Sequence, residues 1–252
     1  MSGPASTPPA ASPRARRPAA PLLLGLTAVA LALGLTWMKA GGAPHEPATF
    51  WTDYLLAGLG VAFAVLLHAA DRRHGARRLW AAALGAIAAG AALGGSSHAL
   101  GGAEEVDWLW NATMISIGAA ACLLGLAATR AFVRSPARRR ASAGLLCLIF
   151  LVYVWWVLRH PDFQWAVLDY GATLTVLLGA SAVLWWRRRE PSTPWTAAAI
   201  LVSFLAAAIQ QLELAPHPRF NHNDLYHLVQ AVGLWLFYRA GRLLPDAVGR
   251  EP

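Results

Sequence analysis

The chain has 252 residues, of which 57% are hydrophobic and 13% charged, with a formal net charge of +8. A soluble globular chain carries roughly twice that charged share, so the composition excludes an ordinary soluble domain and places the chain among membrane proteins. Its positive charge is gathered in short clusters between apolar runs, a pattern of membrane orientation rather than of a nucleic-acid surface, and no nucleic-acid partner is expected.

Residues 1–20 are rich in Pro, Ala and Ser and end in Arg14, Arg16 and Arg17, the signature of a disordered basic tail. The next stretch, 21–39, is apolar. Met38-Lys39-Ala40 is a poor cleavage site, so this run is expected to stay as an extra N-terminal transmembrane helix rather than leave as a signal peptide. Seven more apolar runs follow at 50–70, 79–100, 107–129, 141–159, 163–186, 195–214 and 223–243, each near the roughly 20 residues that cross a bilayer. They make a seven-helix core over 50–243, with a short tail at 244–252. The expected fold is therefore an all-α polytopic membrane protein of eight transmembrane helices, without a soluble domain or an internal repeat. Cys122 and Cys147 both fall inside apolar runs and read as buried free thiols. The one lysine, Lys39, lies at the end of a run rather than within it, which excludes a retinal Schiff base.

The basic residues set the orientation. With the N-terminus inside, eighteen fall on the cytoplasmic side and only Lys39, Arg159 and Arg219 fall outside. The positive-inside rule then gives cytoplasmic N- and C-termini, and a bacterial inner membrane is the expected location. In that frame the polar residues of the spans gather toward the outer face: Asp53, His98, Asp107, Asn111, Asp169, Gln210, Gln211, Glu213, His222, Asp224 and His227. Solvation of helix ends would scatter polar residues over both faces. One-sidedness points to a shared polar cavity, and ionisable groups within spans mark functional sites by default.

The densest part of this pattern is Phe220 to Gln230, where two histidines, two asparagines and an aspartate open the last run. Asn221 or Asn223 suits an N-cap, and Asp224 suits the positive end of the helix dipole. His227 lies a turn further in, beyond what capping requires. Together with His98, at the end of the third run, His222 and His227 supply three imidazoles at one depth. Three imidazoles and a water form an open zinc site, so Zn2+ is the expected cofactor, with His98, His222 and His227 as ligands. His222 and His227 are five residues apart, about 140° around a helix, and Asp224 or His217 is the alternative third ligand. Asp107, at the start of the run after His98, is the candidate general base, and Asn111, one turn on, shares its face.

A histidine ending one helix (Gly95-Ser96-Ser97-His98), an aspartate beginning the next (Asp107) and a paired-histidine motif opening the last (Asn221 to His227) resemble the CREST superfamily of seven-helix membrane proteins. That group includes alkaline ceramidases, the progestin and adiponectin receptors and haemolysin III-like proteins. The resemblance covers 50–243. It implies a zinc-dependent hydrolase of lipid amides or esters, with membrane lipids as partners and Asp107 and Asn111 in catalysis. A non-catalytic metal-binding receptor or a transporter is the alternative. A haem carrier would pair His98 with His227, and a proton-coupled transporter would rest on Asp169. Asn111-Ala112-Thr113 is a glycosylation sequon inside a helix and is expected to be unused. The pairs Trp155-Trp156 and Trp185-Trp186 read as interfacial belts.

Overall fold

A computed structural model describes residues 46–70, 73–100, 107–217 and 220–245. Seven helices follow in order: α1 (Pro47–Ala70), α2 (Gly75–Ala99), α3 (Asp107–Phe132), α4 (Pro136–Val157), α5 (Phe163–Arg188), α6 (Thr193–Gln211) and α7 (His222–Arg242). The expected span at 21–39 lies outside the described residues, as do the tails at 1–20 and 246–252.

Most of these helices begin a few residues before the apolar runs, because local polar groups can hold the first turn. The His74 side chain accepts from the Arg77 N–H at the start of α2, Ser135 from Arg138 before Pro136 in α4, and Asp162 from Gln164 in α5. Each satisfies a backbone donor that the helix itself cannot. Proline at the first turn of α4 carries no N–H to leave unpaired.

Six of the seven helices, α1 to α6, are long and apolar enough to cross a membrane. Of the seven core runs expected to span, the last is the one among the described residues that is not apolar enough. The last run forms a helix of 21 residues, but Asn223, Asp224, His227, Gln230, Arg239 and Arg242 make it too polar by composition. The side chains resolve the mismatch. Asp224, His227 and Gln230 are buried in the bundle, whereas Leu228, Val232 and Trp235 point outward. Helix α7 thus presents an apolar surface to its surroundings and hides its polar stripe.

Helices α1, α2, α3, α5, α6 and α7 pack into a closed ring, each against its neighbours in that order, with α7 returning to α1. Helix α4 stands outside, resting chiefly on α3 and burying only Tyr153 and Val157. The Tyr153 ring fills the space left by Gly118, and its hydroxyl donates to the Met114 carbonyl at 2.9 Å. The remainder of α4 exposes Leu145, Leu148, Leu151, Val152 and Trp155. So broad an apolar surface is foreign to a water-soluble monomer and suits a bilayer. It also corrects the reading of the thiols: Cys122 is only partly buried, and Cys147, on α4, is exposed.

The two ends of the bundle differ. Arg73, Arg77, Arg78, Arg130, Arg134, Arg138 to Arg140, Arg187 to Arg189, Arg239 and Arg242 all lie at one end. There the core is dry and dense, around Leu67, Trp80, Leu84, Leu124 and Phe237. Trp80 Nε1 donates to the Phe237 carbonyl at 2.8 Å, and Arg77 donates to the Arg242 carbonyl at 3.1 Å. The Arg77 bond satisfies an orphan carbonyl at the end of α7 and places a cation at its negative pole.

Helices α1 and α2 approach closely because their contact is built from small residues. A Cβ on Gly60 would stand 2.8 Å from the Ala88 Cβ, and one on Gly95 would stand 2.8 Å from the Asp53 Cβ. Gly60→Leu should therefore lower the melting temperature of the purified protein, at a cost on the order of 1–3 kcal/mol. Gly58→Ala, where nothing lies within 4 Å, should leave it unchanged or raise it, since alanine is the better helix former by about 1 kcal/mol. Equal effects of the two changes would contradict this packing.

Candidate functional site

The end of the bundle away from the arginines is organised by the docking of α7 onto α1. Asn221 caps α7 through a reciprocal pair: its side chain accepts from the Asn223 and Asp224 N–H groups, and its own N–H donates to Asp224 Oδ2 at 2.7 Å. The other Asp224 oxygen accepts from Thr49 Oγ1 of α1 at 2.9 Å. Asp224 is 1% exposed. Both of its oxygens are used in fixing the first turn of α7 against α1, so Asp224 is a clamp rather than a ligand.

One turn further, His227 meets α1 again. Its Nδ1 lies 3.0 Å from Thr52 Oγ1, and that hydroxyl donates to the carbonyls of Ala48 and Thr49 at 3.1 and 3.0 Å. A hydroxyl has one proton. If that proton goes to the backbone, Thr52 accepts from His227 Nδ1–H and Nε2 is left with a bare lone pair; if it goes to Nδ1, Nε2 carries the ring proton. Nε2 faces Asp53 Oδ1 at 3.1 Å. Two acceptors at that distance require a cation between them, either a proton carried by one partner or a metal ion. Both residues are buried, His227 at 7% and Asp53 at 4% exposure. The second Asp53 oxygen, Oδ2, is buried and has no hydrogen-bond partner. A Cβ on Gly94 would lie 3.9 Å from it, so the glycine leaves open room beside this oxygen.

Asp53 and His227 face a cavity of about 330 Å³, within the range of small-molecule sites. All six ring helices line it, and α4 does not. His98, Trp110, Phe163, Gln210 and His222 stand around its outer part, while Leu56, Ile87, Ile117, Leu174 and Phe204 make its walls apolar. His98 is held through Nδ1 by Glu46 at 3.3 Å, and the edge of its ring meets Trp110.

The three histidines expected as zinc ligands therefore all line one cavity. Among the described residues, however, no group of three His, Cys, Asp or Glu side chains is gathered as a metal site. Nε2 of His227 is turned to Asp53 rather than to His222. The two alternative ligands are accounted for: Asp224 clamps α7, and His217 is exposed in the turn before it.

Asp107 and Asn111 do not line the cavity. Helix α3 presents Trp110, Thr113 and Ile117 to it, and Asp107 and Asn111 lie together on a different face. Asp107 is exposed, while Asn111 Oδ1 is buried without a partner. Asp169 is also absent from the lining, although its neighbour Tyr170 is present.

The sequence carried a signal for Asp53, a lone carboxylate within an apolar run, but none for its pairing with His227. It likewise carried no signal that Tyr170, Ser203 and Gln230 share the cavity, since each is a single polar residue on a different helix. Comparison with known proteins adds a family and no activity. A family described only as one of unknown function, DUF6962, matches residues 48–246. The chain belongs to it. No curated protein and no solved structure matched. The matched region runs from the first turn of α1 through the end of α7.

Removing the clamp should loosen the site without touching Asp53 or His227. Asp224→Ala should lower the melting temperature by the equivalent of about 1–3 kcal/mol, as expected when buried donors lose their acceptor. Asp107→Ala, an exposed position, should stay within about 0.5 kcal/mol of the parent. A thermal melt of the two variants in one detergent checks both.

Proposed function

We propose that this cavity is the active site of an intramembrane hydrolase for a lipid-derived amide or ester, with Asp53, His227 and His98 at its centre. The observation that carries the reading is the buried apposition of Asp53 Oδ1 and His227 Nε2, with Asp53 Oδ2 left unpartnered beside the cavity. Such a pair has no structural need for a cavity, whereas acid–base chemistry needs both a proton acceptor and room for a reacting bond.

A metal suits the donor pair. The ring of His227 is fixed at Nδ1 by Thr52, the usual support for a ligating imidazole, and its other nitrogen faces a carboxylate oxygen. His227 and Asp53 would hold the ion, Asp53 taking the place that the sequence suggested for His222. A zinc ion there would supply Lewis acidity and a coordinated water of pKa about 7.

The chain's own groups have separate tasks. Thr52 holds the His227 ring in one orientation, and Asp53 Oδ2 takes a proton from the attacking water as its oxygen adds to the carbonyl carbon. The C–N or C–O bond then breaks, and His98, held by Glu46 through Nδ1, donates a proton to the leaving nitrogen or oxygen. The apolar walls exclude bulk water and receive the chain of the lipid. Asp107, the base suggested by the sequence, has no part in this scheme.

The arginine-rich end is assigned to the cytoplasm by the positive-inside rule, so the cavity faces outward and takes its substrate from the outer leaflet. Reporter fusions after Arg140 and Arg189 should read as cytoplasmic; an external signal at either would reverse this orientation.

A proton is the other cation that satisfies Asp53 and His227, and it favours a second reading as a proton-coupled carrier. Metal analysis and turnover of N-acyl and O-acyl lipids by the purified protein separate the two. The hydrolase reading expects near-stoichiometric zinc and measurable turnover. It also expects a loss of about 10²–10⁴-fold in turnover on Asp53→Asn, with Asp107→Asn within twofold of the parent. Absence of both zinc and turnover, with ligand uptake that collapses in Asp53→Asn, would decide for the carrier.

A further inference from the structure

The cavity has a second set of polar groups that the hydrolytic scheme leaves unused. Gln230 and Ser203 both line it at 5% exposure, and Gln230 Nε2 donates to Ser203 Oγ at 3.2 Å. The bond depends on Gly233, one turn below Gln230, where a Cβ would come within 3.2 Å of the same hydroxyl oxygen. Gln230 keeps its carbonyl oxygen and its second N–H for another partner. Tyr170 of α5 also lines the cavity, and its hydroxyl is buried with no hydrogen-bond partner. Buried polar groups are ordinarily satisfied, so an orphan phenol beside a cavity marks a position for a ligand group.

Helix geometry puts the three at one depth. Tyr170 lies seven residues into α5, Gln230 eight into α7, and Ser203 eight before the end of α6. At 1.5 Å per residue each is about 10–12 Å from its helix terminus. Gln230 is three residues beyond His227, or about 4.5 Å deeper. Among the described residues, Asp53 is the one carboxylate that lines the cavity, and no lysine or arginine does. What Tyr170 and Gln230 can recognise is therefore neutral.

We propose that Tyr170, Gln230 and Ser203 form a specificity subsite for a neutral hydroxyl or amide group. That group would sit a few atoms from the bond handled by Asp53 and His227, so the ligand is a hydroxylated or doubly amidated lipid rather than a plain acyl chain. The inference rests on the hydrolase reading only for the identity of that bond; the subsite itself requires only that a lipid occupy the cavity.

The test uses the full chain in nanodiscs and two probes: an N-lauroyl amino alcohol and the same amide with hydrogen in place of the hydroxyl. Equilibrium binding should favour the hydroxylated probe by about tenfold, the worth of one or two hydrogen bonds. Tyr170→Phe should remove most of that preference at an unchanged melting temperature, because the hydroxyl has no protein partner to lose. Gln230→Leu should remove it as well. Equal affinity of the parent for the two probes would overturn the subsite, as would a Tyr170→Phe variant that discriminates like the parent. Hydrolysis is scored separately. Discrimination without turnover retains the subsite and sinks the hydrolase reading, and turnover without discrimination does the reverse.

Discussion

Asp53 Oδ1 and His227 Nε2 face each other at 3.1 Å inside a helical bundle, and much of the end of the molecule away from the arginines is arranged around that contact. An arrangement of this kind is stable only if something positive sits between the two atoms, because an uncompensated charge or lone pair in a low-dielectric interior costs several kcal/mol. The surrounding groups hold the pair rather than relieve it. Thr52 fixes the imidazole and Asp224 fixes the turn from which His227 projects. Gly95 lets α2 press against the Cβ of Asp53. Each is a local choice that would be unfavourable or pointless alone.

The division of labour along the bundle follows from the same contact. Dense apolar packing at the arginine end, around Trp80, Leu84 and Phe237, supplies the burial and dispersion that keep the ring closed. That leaves the other end free to carry buried polar groups and a cavity. Helix α4 contributes to neither and stands on the outside of α3, so the catalytic proposal needs only the six-helix ring.

The helical architecture was legible in the sequence because long apolar runs separated by basic clusters have few other solutions in a bilayer. The gathering of the polar residues at one end was legible for the same reason. The faces were harder. Asp107 and Asn111 share a helix face, as their spacing of four requires. Which face looks inward, however, is set by Thr113 and Ile117, and that follows only from packing against α2 and α5. An apolar run that begins at 50 places Asp53 at the rim of the bilayer. The helix begins at Pro47, and the added turn carries Asp53 below the rim. The polar character of α7 was plain, but a composition cannot say that Asp224, His227 and Gln230 all turn inward.

A double-mutant cycle on Asp53 and His227 tests the central contact most directly. Unfolding free energies of the parent, Asp53→Asn, His227→Gln and the double variant should show a coupling of about 1–3 kcal/mol, whether the shared cation is a proton or a metal ion. If the two single changes add to within about 0.5 kcal/mol, the residues are not joined through a common cation, and the account of this site is wrong.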